Sequence, residues 1–283
     1  MIIQNKNLIV KFHLNPFEIK GIIAKKSQHQ FLYQQDFSWK KTWPTLFPIT
    51  GGLINNSYCY QKQHYQMNKH GFFAKIKNWK ILAKKDSLIT FYFEHKKEFW
   101  KIFPFYFKII ITLKVIKFKL KYQVKIINCD HKKIYFGFGF HPAFKLKNFT
   151  NSYLKTNSWL DLFEIKENNQ IVKISKQKLK TISLNNLDFK ASNTYLLKNN
   201  IKKILFYNQD YKLKLSWTNC LYFLIWTKSK QDQFLCLEPW NGFLDNITNS
   251  KLDLDHKKGL ISLKPKKNKK FNLTLKLFDY IVQ

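Results

Sequence analysis

The chain contains no arginine: all 50 of its basic residues are lysine. It therefore lacks the planar guanidinium fork that grips carboxylates, phosphates and guanine edges in two-point contacts, and anion recognition falls to point-charge ammonium groups. Cysteine is also scarce. The four residues at 59, 129, 220 and 236 form no close pair, which argues against a zinc cluster or disulfide framework and fits reduced thiols in a cytoplasmic protein. Acidic residues number only 17, leaving a formal charge of +33. Glycine and proline are sparse while Lys, Asn, Ile, Phe and Tyr abound, as an AT-rich coding bias would produce, so part of the charge carries no functional meaning. The remainder attracts anions such as nucleic acid, sugar phosphates and acidic lipid without specifying any of them. Long hydrophobic runs are missing too. The most apolar stretch, Phe99 to Leu113, is interrupted by Lys101, Pro104 and Lys108 and is too short to span a bilayer. The first seven residues, broken by Asn and Lys, do not form a signal-peptide core. No internal repeat and no sustained helical period are found.

What is present is β pattern, and the expectation is an all-β protein with residues 1–283 forming one domain. Phe105, Phe107, Ile109, Ile111, Leu113 and Val115 share one parity, and Phe118, Leu120, Tyr122, Val124 and Ile126 share the other. The switch between 115 and 118 predicts a turn or bulge joining two antiparallel strands. Lysines 117, 119, 121 and 125 fall on the opposite parity, as on a solvated sheet face. Tyr58-Cys59-Tyr60 and His64-Tyr65 read as a hairpin around Gln61-Lys62-Gln63. Near the C-terminus two alternating segments flank Lys264-Pro265-Lys266-Lys267-Asn268-Lys269-Lys270, which predicts a hairpin with a lysine-rich tip. Residues 150 to 200 are polar and give no clear pattern.

Three strand-end elements carry candidate chemistry. In Gly137-Phe138-Gly139-Phe140-His141-Pro142-Ala143-Phe144, two glycines allow close approach of backbone or ligand, and Pro142 restrains His141 toward an extended conformation. Taken alone, His141 reads either as a structural histidine beside a β-bulge or as a functional group held at a strand end. Phe234-Leu235-Cys236-Leu237-Glu238-Pro239-Trp240-Asn241-Gly242 repeats the logic with a carboxylate, which is costly to bury without a partner or purpose. Asn68-Lys69-His70-Gly71-Phe72 places another histidine beside a glycine. Trp240 is either a stacking surface or packing, and Asp245 either lines a pocket or caps a loop. Trp39 and Trp43 lie in an irregular connection, where aromatic residues more often belong to the core.

In that order, and with Leu46-Phe47-Pro48-Ile49 before them, His-Gly-Phe, Gly-Phe-His-Pro-Ala-Phe and Glu-Pro-Trp-x-Gly resemble motifs of the aldose 1-epimerase (galactose mutarotase) family from about residue 44 to the expected final hairpin. The resemblance implies a large antiparallel β-sandwich whose concave face holds a sugar. It implies His141 as the general acid on the ring oxygen, Glu238 as the general base on the anomeric hydroxyl and His70 as a second histidine near the ring oxygen, with Trp240 and Asp245 as substrate-binding candidates. Ring opening moves one proton off O1 and one onto O5, so an acid and a base must act together, placed in this reading on opposite sides of the ring. Neither a metal nor a cofactor is needed. The resemblance also implies two departures: Gly52 stands where the family carries an arginine, and Ser192 where it carries an aspartate. The expected partner is a small-molecule sugar, in a monomer or homodimer without specific nucleic-acid or membrane binding. A sugar-phosphate mutarotase and a non-catalytic carbohydrate-binding protein remain the alternatives.

Overall fold

The computed structural model describes residues 1–95, 97–166, 170–189, 193–198, 201–242, 245 and 252–279. The architecture is the expected all-β one, a large antiparallel β-sandwich. Sixteen of the described strands join one continuous sheet, a three-stranded sheet of Ile2–Gln4, Leu8–Leu14 and Phe17–Ala24 stands beside it, and two short two-stranded ribbons complete the set.

The strand Phe107–Ile116 buries every second residue and pairs with Lys119–Asn128, with Val115 opposite Leu120 and Lys117 at φ 51° in the turn. The parity switch in the sequence is thus a tight hairpin. Ser57–Tyr60 and Gln63–Gln66 form the second expected hairpin, and its turn residues Gln61 and Lys62 both have positive φ. This left-handed pair matches the natural twist of two-residue hairpins.

One expectation is corrected. The lysine-rich segment near the C-terminus is not a hairpin tip: Ile261–Leu263 pairs with Ile134–Phe136, whereas Asn268–Asp279 runs between Lys119–Asn128 and Tyr211–Thr218 in the large sheet. This separation puts Phe271 in the core, with its ring stacked on Phe138 at 4.2 Å, while Asn128 Nδ2 donates to the Leu263 carbonyl and anchors the crossing. The stretch 150 to 200, illegible in sequence, contains the thirteen-residue strand Tyr153–Ile165, paired in turn with Leu179–Ser183, Lys203–Tyr207 and Thr194–Lys198. Its register shifts between Lys155 and Leu160, and that irregularity broke the alternation.

The core is aromatic. Phe17, Phe47, Phe91, Phe103, Phe107 and Tyr122 are all essentially inaccessible, and Phe47 alone makes ring contacts with four other phenylalanines at 5.0–6.0 Å. Such contacts add roughly 0.5–1.5 kcal/mol per pair beyond the area they bury. Among the described residues, no helix is long and apolar enough to cross a membrane.

Candidate active site

The strand Phe234–Asn241 is buried at every position and pairs on one side with Tyr222–Trp226. Its other side meets Phe138–Phe140 and then Ala143–Lys145, with an interruption at His141-Pro142. The register is the same on both flanks: Gly139 lies opposite Trp240, and Ala143 opposite Cys236. His141 therefore lies directly across from Glu238, as a cross-strand side-chain pair. Proline inside a central strand normally removes a ladder bond. Pro239 is accommodated here because it faces the interruption, where His141 N donates to Pro44 and Leu237 N to the Pro142 carbonyl. The two prolines that flagged the motifs are thus features of one local break in the sheet, and that break presents both ionisable groups to a cleft.

His141 Nε2 and Glu238 Oε2 are 3.4 Å apart, with side chains 7% and 2% exposed. His70 joins them, its ring 5.6 Å from that of His141 and nearly perpendicular to it. Backbone geometry holds His70 tightly. Its φ is 68°, its N–H donates to the Gly51 carbonyl and its Nδ1 lies 2.5 Å from the Thr50 carbonyl. A carbonyl only accepts, so Nδ1 carries the proton and Nε2 is left as an acceptor. The next residue has to be glycine: Gly71 has φ +73°, and a Cβ there would fall 2.2 Å from the Phe47 carbonyl oxygen. Gly139 serves the other wall, since a Cβ would lie 2.6 Å from Trp240 Cδ1. Its absence lets the indole lie against the backbone beside His70, 6.0 Å ring to ring.

These side chains line a cleft of about 650 Å³, within the size range of small-molecule sites. The sequence reading placed Trp39 with the core and gave Trp226 and Lys69 no role, and all three line this cleft. Trp39 stacks on His141 at 5.4 Å and 27°, and Trp226 meets the same imidazole edge-on at 5.8 Å. Neither has a local signal in sequence, because one comes from an irregular connection and the other from a strand two residues beyond Glu238's partner Leu224. Tryptophan makes up 8 of 283 residues but three of the nineteen described lining residues, an enrichment that suits stacking on the apolar faces of a sugar.

Asp245 does not line the cleft. Its carboxylate is buried against Lys257 Nζ, 2.9 Å from each oxygen, and its N–H donates to the Gly52 carbonyl. It lies in a separate small depression with Leu254, Lys257 and Leu260. Gly52 faces open space in which the nearest side-chain atom is Lys69 Cγ. Ser192, where the resemblance implied a lost aspartate, lies outside the described residues.

Burial opposes charge on all three ionisable groups. It pushes His70 down to about 4, helped by the neighbouring Lys69 charge. It holds His141 well below the usual histidine value, with His70 and Lys69 acting in the same direction. Burial also drives Glu238 well above the usual carboxylate range, and Lys69 and the Trp240 indole pull it partly back. The Trp240 Nε1–H is buried near that carboxylate without reaching normal hydrogen-bond geometry. His141 and Glu238 are close enough to share one proton, as neutral imidazole with carboxylic acid or as imidazolium with carboxylate. Both doubly protonated and doubly deprotonated pairs would place net charge in a buried site. Cys236 lies with them, the three ligand-type atoms all within 4.8 Å. The Cys236 thiol is held well above its usual range by burial and by Glu238, which keeps it protonated beside the pair.

Comparison with known proteins identifies the family. The family model described as aldose 1-epimerase matches residues 26–276. The chain belongs to the aldose 1-epimerase family. It is 21% identical over 269 residues to the chromosomal LacX protein of Lactococcus lactis subsp. lactis, covering 87% of this chain and 88% of that protein. Among solved structures, it resembles a galactose mutarotase related enzyme from Lactobacillus acidophilus with a TM-score of 0.88, 23% identity and coverage of 99% and 97% of the two chains. A galactose mutarotase-like protein from Lactobacillus casei ATCC 334 gives 0.87, 24%, and 98% and 99%. The family's fold is thus shared over essentially the whole chain.

Proposed function

We propose that this aldose 1-epimerase family member interconverts the α and β anomers of an aldose by acid/base ring opening, with Glu238 as base, His141 as acid and His70 as a supporting acceptor. The observation that carries the reading is the cross-strand His141–Glu238 pair, 3.4 Å apart on the floor of a tryptophan-lined cleft. O1 and O5 are both bonded to C1, so one contiguous acid/base pair can address both. A separation of 3.4 Å leaves no room for a sugar ring between the two groups. Acid and base therefore act from the same side of the hemiacetal carbon, not from opposite sides as the sequence suggested.

Opening requires carboxylate and imidazolium. Glu238 takes the O1 proton as His141 protonates O5, the C1–O5 bond breaks, and the aldehyde is left facing a neutral acid and a neutral imidazole. Rotation about C1–C2 presents the other face of the aldehyde. Closure then runs the same transfers backwards, His141 taking the O5 proton while Glu238 returns one to O1. Burial favours the uncharged pair, which is also the form present beside the open chain. Starting a turnover from the free enzyme needs only transfer of the shared proton from Glu238 to His141, with no exchange with solvent. His70, neutral with Nδ1–H on Thr50, offers Nε2 to a substrate hydroxyl, including the O5 hydroxyl released on opening.

The test is anomer exchange by NMR above the uncatalysed rate, with free glucose and galactose. Glu238→Gln keeps the shape of the side chain and removes the base, and exchange is expected to drop by about 10²–10⁴-fold. Unchanged exchange in that variant would remove Glu238 from the mechanism, while sugar binding by calorimetry without any exchange in the wild type would favour a carbohydrate-binding protein.

A further inference from the structure

The direction in which the cleft extends beyond the reacting atoms identifies the substrate's other end. In an aldohexopyranose the atoms run O1, C1, O5, C5, C6. With O1 at Glu238 and O5 at His141, the C5 substituent leaves the site past His141. From His141 the contacts lead to Trp39 and Trp226, and from these to the residues beside them, Ser38, Lys41 and Lys228, all of which line the same cleft. Lys228 Nζ donates to the Ser38 carbonyl at 3.3 Å, which draws the turn after the Trp226 strand and the Trp39 segment together at this end. Among the described residues neither Lys41 nor Lys228 has a carboxylate partner within ion-pair distance, and the only carboxylate lining the cleft is Glu238 itself.

The number of lysines proves nothing here, because four among nineteen lining residues is about lysine's share of the whole chain. Their position carries the argument. Two lysines and a serine line the cleft beside Trp39 and Trp226, on the side of His141 past which the C5 substituent leaves. We infer that the substrate is an aldose phosphorylated on its terminal carbon, with the phosphate held by Lys41, Lys228 and the Ser38 hydroxyl and the sugar body lying against Trp39 and Trp226. With no arginine in the chain, lysine is the residue available for such a contact, and it binds phosphate as a point charge. The inference rests on the acid/base reading of His141 and Glu238.

The experiment compares NMR exchange rates for glucose against glucose 6-phosphate and for galactose against galactose 6-phosphate, each corrected for its own uncatalysed rate. The expected result is a kcat/KM at least about tenfold higher for the phosphorylated member of one pair, the scale of one charge-assisted contact. In Lys41→Gln/Lys228→Gln that ratio collapses toward one. In Lys119→Gln/Lys121→Gln, which removes the same charge from the outer sheet face, the ratio holds. Equal rates within both pairs, or a ratio that falls as much in the outer-face variant, would overturn the phosphate inference while leaving the mutarotase intact. If no sugar exchanges faster in wild type than in Glu238→Gln, the acid/base reading fails and the inference fails with it.

Discussion

In the proposed mechanism Glu238 and His141, 3.4 Å apart, titrate as a pair, and this sets the expected pH behaviour at the scale of single residues. The active form in that proposal carries one shared proton. Adding a second is opposed because burial and Lys69 lower His141, and removing the one is opposed because burial raises Glu238. The kcat/KM profile is expected to be a wide bell, its acid limb below the ordinary histidine value of about 6.5 and its alkaline limb above the ordinary carboxylate value of about 4.3. An acid limb at or above about 6.5, or an alkaline limb at or below about 4.3, would contradict the pair. Lys69 supplies a sharper test, since its positive charge lowers both members. Replacing it in Lys69→Gln lets protons bind more tightly to both, so both limbs should move to higher pH together. A structural role alone would lower the plateau without moving the limbs, which a pH series on the two proteins would distinguish.

Elements rather than residues decide where these groups stand. The break between Phe138–Phe140 and Ala143–Lys145 needs Gly139 on one side and relies on Gly71 to turn the His70 segment under Phe47. Gly71→Ala combines a left-handed φ with overlap against backbone, and it should cost at least about 2 kcal/mol of stability, measured by urea titration. Gly139→Ala meets mainly the Trp240 ring, so it should raise KM more than it lowers stability; a variant with wild-type KM would show that Trp240 does not touch the sugar. The buried Lys257–Asp245 pair is a different kind of element, a clamp on the Gly52 strip behind His70. Asp245→Ala removes the carboxylate that faces the buried Lys257 ammonium and should lose about 3–5 kcal/mol of stability, and a loss confined to sugar affinity would return Asp245 to the binding site. The sequence showed His141, Glu238 and His70 because proline and glycine must punctuate the strands where those side chains emerge, and those punctuation marks survive as single letters. Trp39, Trp226 and Lys69 carry no such mark, because they reach the cleft through strand register and a long connection. The bulged strand Tyr153–Ile165 and the crossing after Leu263 were lost for the same reason: which strand a segment pairs with is decided across the fold, whereas alternation reports only that it is a strand.

At the scale of the whole molecule the charge of +33 acts twice, with opposite signs. Lysines on the outer faces of strands such as Lys119–Asn128 stand beside further lysines across the sheet, Lys119 opposite Lys276 and Lys125 opposite Lys270. Like charges facing each other across a ladder destabilise it, and a large net charge opposes the compact state. Raising salt from about 20 mM to about 300 mM shortens the Debye length several-fold and relieves that repulsion, so the melting temperature should rise with sodium chloride. The same field draws an anionic substrate toward the cleft, and screening weakens that attraction. For a 6-phosphorylated aldose, kcat/KM should therefore fall over the salt range in which the melting temperature climbs, whereas for the free sugar it should stay nearly level. Melting curves and exchange rates on one salt series read both effects. If the free and phosphorylated sugars respond to salt alike, the lysines of this chain serve its solubility alone and the cleft owes them nothing.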